Sequence, residues 1–419
     1  MSNEVVVTGL GFITSIGNDS EAVKQSVIEL SHGMESFIFT NVPDSPVSVM
    51  ATVKDFQTDS MDPEDWIYPR GYSIPGSLLR GLSPHGLYAH CALVQAIEDS
   101  GLNAEEISNR RTGLYTASAG SIWMINQLLN RMHEVGVERM NPKGIVATVA
   151  GTLNFNLAAF FKIKGSSCGF TSACASSGHA LGFAYEEIST GRQDRMLVVG
   201  AEDGNPDCIL PFAGMRALSL NPNPDLASRP FDRDRDGFVG TGGGVAMVLE
   251  SRDAALARGA SIRAIFRGWG QSSDGYNPVL PEPEGRGLYH SMELALERTE
   301  TPRESIDYIN AHAPSTLFGD ASELKALKAL YPNGSSPKVS STKALHGHGL
   351  SLGSILEAGI SVLALESGFS PGSAHIENLD EEAEGVNIIR ETLMDSPTMI
   401  MSNSSGFGGA NTSLIFEKA

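Results

Sequence analysis

The 419-residue sequence predicts an α/β fold made of two similar halves. Three observations lead there. Strand-length apolar runs alternate with segments of helical apolar spacing along the chain, the pattern of largely parallel sheets covered by helices. Residues 171–188 and 340–366 both read as a Ser/Thr-rich turn running into a helix of small residues, and both follow a strand, which marks an internal duplication. An apolar fraction of 41% supplies a core for one large domain or two ordinary ones.

The elements follow in order. VVVTGLGFITSIG at the start reads as a buried strand closed by a glycine turn. GLYAHCALVQAIEDS (86–100) has helical spacing and stops at Gly101. RTGLYTASAG (111–120) reads as a strand entering a loop of small residues, and GHALGFAYEEISTG (178–191) as a helix. MLVVGAED (196–203) and GGGVAMVLES (242–251) read as buried strands. RDAALARGA reads as a short exposed connection, which places the boundary between the halves near 252. Beyond it the pattern predicts helices over 286–299, 321–330 and 350–367, and strands over 306–311, 337–342 and 398–403.

Composition excludes several classes. A net charge of −19 opposes a nucleic-acid partner, because phosphate binding needs basic surface. No run approaches the roughly 20 apolar residues of a membrane helix, so no membrane association is expected. The opening residues lack the basic segment of a secretion signal. The four cysteines form no CxxC pair, and no His/Cys cluster has zinc spacing. Free thiols in a reducing, cytoplasmic setting are expected, without a metal.

TSACASSGHA (171–180) sets Cys174 among small residues that let a substrate approach the sulfur. A helix beginning there offers free N–H groups and a partial positive charge, both of which lower a thiol pKa. A buried structural cysteine is the competing reading. INAHAPSTLFGD (309–320) puts His312 just past a strand; Asp320 reads as a helix cap, with Glu323 at capping-box spacing. STKALHGHGLSLGSILEA (341–358) puts Lys343 and His348 between a strand and a helix, with Glu357 further along. SNSSGFGGAN (402–411) is a glycine loop whose backbone N–H groups suit an oxyanion hole. Four strand-to-helix turns thus each carry a reactive or polar group, and in α/β sheets ligands gather at the carboxyl ends of strands. His179 and His346 read as packing or structural residues, and Cys168 as an inert buried thiol.

These motifs resemble the β-ketoacyl-acyl-carrier-protein synthases, the condensing enzymes of fatty acid and polyketide synthesis within the thiolase fold. GLGFITSIGN (9–18), SACASS (172–177), RPFDRDRDGFV (229–239), NAHAPSTLFGD (310–320), STKALHGH (341–348) and NSSGFGGAN (403–411) carry the resemblance almost end to end. It implies a layered αβαβα architecture, with residues 1–252 holding the nucleophile and 253–419 the histidines. It implies decarboxylative Claisen condensation of an acyl group on Cys174 with malonyl-acyl carrier protein. His312 and His348 would complete a Cys-His-His triad, and Lys343 and Glu357 a supporting polar network. The backbone N–H groups of Cys174 and Phe407 would form the oxyanion hole, with Phe407, between Gly406 and Gly408, as a mobile gate. No bound cofactor is implied; acyl groups would arrive on the phosphopantetheine of an acyl carrier protein docked by Arg80, Arg139 and Lys143. A homodimer is expected, with a heterodimer carrying a chain-length-factor-like subunit as the alternative. The rival function is a non-catalytic, chain-length-setting partner subunit. A thiolase needs a second cysteine near the C-terminus, and none follows Cys208.

Two stretches depart from the family pattern. HGTxT is here His312-Ala313-Pro314-Ser315-Thr316. Of two threonine hydroxyls that meet the pantetheine arm only Thr316 remains, since Pro314 offers neither hydroxyl nor N–H. NSFGFGG is here Asn403-Ser404-Ser405-Gly406-Phe407, so Ser405 replaces a large aromatic and leaves room beside the gate. Both changes point to an unusual acyl substrate or carrier. The acyl tunnel would pass TASAGSIWM (116–124).

Overall fold

The computed structural model describes residues 3–419. Its main sheet has ten strands: β1 (Val5–Ile13), β2 (Thr112–Ala117), β3 (Ser167–Phe170), β4 (Arg195–Glu202), β5 (Gly243–Ser251), β6 (Ala264–Ser273), β7 (Tyr308–Asn310), β8 (Lys338–Ser340), β9 (Met399–Gly406) and β10 (Ala410–Lys418). Eight helices of nine residues or more accompany them: α1 (Ser20–Glu29), α2 (Pro84–Ser100), α3 (Ile122–Val135), α4 (Leu153–Phe161), α5 (Ser176–Ser189), α6 (Arg286–Arg298), α7 (Leu317–Leu330) and α8 (Gly353–Ser367).

The strand order is β8-β7-β9-β10-β6-β1-β5-β4-β2-β3. Taken from its outer edge inward, each half has the same order, 3-2-4-5-1 and 8-7-9-10-6. Each also has two parallel pairings at the outer edge and two antiparallel ones further in. The duplication read from the sequence is therefore a duplication of topology. The halves join where β1 pairs antiparallel with β6 through Val5, Val6 and Val7.

Helices α5 and α8 pack on each other and touch strands of both half-sheets, so they form a middle layer. Helix α2 covers β1, β5 and β4, and α6, with α7 beside it, covers β6 and β10. The result is the layered αβαβα arrangement. A helix buried on every side must be apolar or small on every side, and α8 meets this with Ile355, Leu356, Ile360 and Leu363. The stretch Leu350–Ser367 is apolar enough to cross a membrane by composition, but 83% of it lies inside this layer. Small residues set the spacing. A Cβ on Gly182 of α5 would lie 2.0 Å from the Trp269 ring on β6, and one on Gly359 of α8 would lie 2.7 Å from Phe12 on β1.

Several boundaries differ from the sequence expectation. The supposed connection after 251 contains a helix, Arg252–Ala257, capped by the Ser251 side chain on the Ala254 N–H. Helix α7 starts at Leu317, a turn earlier than predicted, with Thr316 as its cap. Asp320 is therefore inside the first turn, where its carboxylate accepts from the Ser315, Thr316 and Phe231 N–H groups. The stretch 116–124 runs from the end of β2 through a short loop into α3, which starts after Ser121, whose hydroxyl accepts from the Met124 N–H. The final glycine loop joins β9 to β10 in a hairpin, so it is a strand-to-strand turn.

Gly182→Ala is expected to lower stability by about 1–3 kcal/mol, the usual cost of overpacking a tight contact. Thermal unfolding reads it; an unchanged midpoint would mean that α5 does not sit against Trp269.

Candidate active site

Cys174 lies between β3 and α5, and the turn is tight enough to hold Ala173 in the left-handed region at φ 51°. Such a conformation in a non-glycine residue is retained where surrounding bonds over-determine it. Here the Ser176 hydroxyl donates to the Ala173 carbonyl at 2.6 Å and accepts from the Ser172 N–H at 2.7 Å. The Ser354 hydroxyl at the start of α8 donates to the Cys174 carbonyl at 3.0 Å, tying the two middle helices together at the nucleophile.

His312 follows β7, and its own N–H and that of Ala313 donate to the two oxygens of Glu323 at 3.1 and 2.7 Å. His348 follows β8; its N–H donates to the Val239 carbonyl at 2.7 Å and its ring stands edge-on to Phe238. The His348 Nε2 is 3.1 Å from the Cys174 Sγ, and the two imidazoles are 5.4 Å apart between centroids. Ligating atoms of Cys174, His312 and His348 all fall within 4.8 Å of one another, and all three residues are buried. Lys343 bonds Glu357 beneath them, with the side chains 1% and 0% exposed.

Charge follows from this burial. Desolvation holds both His312 and His348 well below the usual imidazole range, and the neighbouring Lys343 ammonium pushes them further down. Both rings are neutral at pH 7. Burial pushes the Cys174 thiol up to about 12, against the pull of Lys343 and of the Phe407 N–H aimed at the sulfur. The helix-lowered thiol expected from sequence is thus reversed: α5 begins two residues after Cys174, and loss of water outweighs the positive groups. Burial raises Glu357 to about 7, opposed by Lys343.

The β9–β10 turn closes the site. A side chain at Gly406 would come within 3.0 Å of the Cys174 nitrogen, so glycine lets this loop lie on the nucleophile. Phe407 is partly exposed and packs on Phe212, 6.2 Å away between ring centroids, while Gly408 takes a positive φ of 78°. A cavity of about 420 Å³ runs from the surface to Cys174, His312 and His348, past Phe407, Ser405 and Thr316. The Thr316 hydroxyl accepts from the Gly319 N–H at 3.2 Å, leaving its own hydrogen for a ligand.

The three cations read as a carrier-docking set lie outside the lining of the catalytic cavity, where a surface docking site would also lie. Arg80 pairs with Glu64 at 2.6 Å, Lys143 donates to the Ser77 carbonyl at 2.8 Å, and Arg139 is exposed; none of the three lines the catalytic cavity. The cation on its rim is Arg216, exposed and with no ion-pair partner among the described residues. No motif marks Arg216, and only the fold reveals it. Cys168 is exposed on the edge strand β3 rather than buried. His179 bonds the Ser172 hydroxyl and packs edge-on to Trp269, and His346 is buried against Gly347 and Thr342, so both are structural.

Because the thiol is raised, alkylation of Cys174 by iodoacetamide is expected to climb about tenfold per pH unit from pH 7 to 10, following the thiolate fraction. A plateau near 8.5, the ordinary thiol pKa, would contradict the burial described here.

Residues 2–255 match the family model described as Beta-ketoacyl synthase, N-terminal domain, and residues 263–377 that described as Beta-ketoacyl synthase, C-terminal domain. The chain is 38% identical over 422 residues to 3-oxoacyl-[acyl-carrier-protein] synthase 1 of Haemophilus influenzae, covering 99% of this chain and 98% of the relative. Among solved structures it matches a beta-ketoacyl synthase from Burkholderia phymatum with a TM-score of 0.90 at 30% identity, over 100% of both chains. It matches the ishigamide ketosynthase/chain length factor with a TM-score of 0.89 at 28% identity, again over 100% of both. Alike in sequence from end to end and in fold, this chain belongs to the beta-ketoacyl synthase family.

Proposed function

We propose that this chain is a β-ketoacyl-acyl-carrier-protein synthase that joins an acyl group on Cys174 to malonyl-acyl carrier protein with loss of CO2. The observation that carries the reading is a buried thiol and two neutral imidazoles within 4.8 Å at the end of an open cavity. The acyl thioester enters through that cavity. The Cys174 sulfur attacks its carbonyl carbon, and the oxygen takes up charge facing the Cys174 and Phe407 N–H groups. The thiol proton passes by way of His348 to the departing pantetheine sulfur. The malonyl thioester then takes the vacated arm position. The bond from C2 to its carboxylate breaks and CO2 leaves, and the enolate oxygen is held by N–H groups of His312 and His348. C2 attacks the acyl carbon, and the Cys174 sulfur leaves with its bonding pair and takes a proton supplied by solvent water. Neutral rings suit this work because they donate without carrying a charge that would have to be desolvated.

Acyl groups arrive on the phosphopantetheine of an acyl carrier protein, and no resident cofactor or metal takes part. Thr316 supplies the remaining hydroxyl along the arm, and Arg216 the cation at the mouth for an acidic carrier. A second copy pairs along β3, whose Ser167 and Cys168 are exposed beside α4 and its exposed Phe155. The ishigamide structure is that of a ketosynthase/chain length factor, so a heterodimer is the alternative assembly. Cys174, His312 and His348 are all in place here, which favours catalysis over a purely chain-length-setting role. The free cysteines fit a cytoplasmic setting.

Incubation with acyl-carrier thioesters is expected to add one acyl mass to the wild-type chain and none to Cys174→Ala. His312→Ala is expected to load normally and to release CO2 from malonyl carrier about 10²–10³-fold more slowly, the usual cost of one oxyanion donor. Loading of Cys174→Ala, or full decarboxylation by His312→Ala, would contradict the assignment.

A further inference from the structure

The catalytic cavity continues beyond the triad. Beside His312 its wall includes Leu288, Ser322, Glu323 and Asn411, all buried residues, and Ser405 lines the same side niche, bonded to Asn411. The niche is built, not loose. The Ser405 hydroxyl donates to Asn411 Oδ1 at 2.7 Å, and Asn411 Nδ2 donates to Asp274 Oδ1 at 2.7 Å. Asp274 Oδ2 accepts from the Glu282 N–H at 2.9 Å, and the Ser322 hydroxyl donates to the Glu282 carbonyl at 2.9 Å. Glu323 is held by the backbone N–H groups of His312 and Ala313. Glycine lets the chain close behind this ring, since a Cβ on Gly287 would lie 1.9 Å from Asp274 Oδ1.

The polar groups of the wall are thus spent on one another. What the niche offers an occupant is shape and the apolar faces of Leu288 and Pro281. It opens beside His312, where the second thioester is held during condensation, so the atom that faces it is C2 of that thioester. We propose that the niche accepts a small alkyl substituent on C2 of the malonyl unit, and that Ser405 is the residue that determines this specificity. The aromatic residue of the family pattern at this position would occupy the same space. The inference rests on the condensation reading above. The step balances as it does for malonyl: the C2–carboxylate bond breaks, CO2 leaves, and that electron pair forms the bond to the acyl carbon. The sulfur of Cys174 leaves and is protonated, and the substituted C2 keeps one hydrogen.

The test is a competition between malonyl and 2-methylmalonyl thioesters on one carrier, with acyl-Cys174 enzyme and products weighed by mass spectrometry. Wild type is expected to form both products. Ser405→Phe is expected to lower the ratio of kcat/KM for methylmalonyl over malonyl by about tenfold or more, as for one methyl group excluded from a fitted pocket. Leu288→Phe, which fills the niche from its far wall, is expected to lower the same ratio. Wild type forming only the malonyl product, or an unchanged ratio in either folded variant, would overturn the proposal. Loaded Cys174 with no product from either thioester would instead overturn the condensation reading itself.

Discussion

The site depends on a buried ion pair. Lys343 and Glu357 meet with almost no exposure, one at the turn after β8 and the other on the middle helix α8. Taking two charges out of water costs several kcal/mol per ion before their attraction repays it, so such a pair is weak evidence of stability. Its effect on its neighbours is the stronger reason for its presence. The ammonium opposes protonation of His312 and His348 and favours a thiolate at Cys174, and it sits close enough to influence all three. Burial keeps the two proton donors neutral, and this one fixed positive charge reinforces that while easing formation of the nucleophile. The glutamate holds that ammonium in place, and its second oxygen has no partner among the described residues.

The duplicated topology explains how four distant segments reach one point. In both halves the strand order places the parallel strands at the outer edge, and helices α5 and α8 cross back between the two half-sheets. Cys174 precedes α5, and His348 precedes α8; the same position in the repeat carries the nucleophile in one half and a proton donor in the other. The turn after β7 adds His312, and the β9–β10 hairpin adds the N–H of Phe407. Close packing of the middle layer, through Gly182 on Trp269 and Gly359 on Phe12, fixes how closely each helix sits on the sheet.

Most of the strands and the catalytic loops are legible in the sequence because they are dense in local signals. Apolar runs flanked by glycine mark β1 and β5, and small residues around Cys174 mark the approach to its sulfur. What stays hidden depends on tertiary context. The cap of α7 is Thr316 rather than Asp320, whose carboxylate instead accepts from the Ser315 and Thr316 N–H groups before the helix and from that of Phe231, eighty-nine positions away. The rise of the Cys174 thiol needs the depth of its burial, which no spacing encodes. The same holds for Arg216, which stands at the cavity mouth in a segment whose Phe212 packs on Phe238 and Phe407, contacts distant in sequence. Cys168 reads as buried from its surroundings in the chain, but it lies on an edge strand, and edges are visible only once strand order is known.

The most direct test of the charge arrangement is a nitrogen-15 NMR titration of the His312 and His348 rings in the intact protein. Both rings are expected to show neutral imidazole shifts throughout pH 6 to 8. A ring that titrates with a midpoint at or above about 6.5, the ordinary imidazole value, would contradict the role given to Lys343 and to burial.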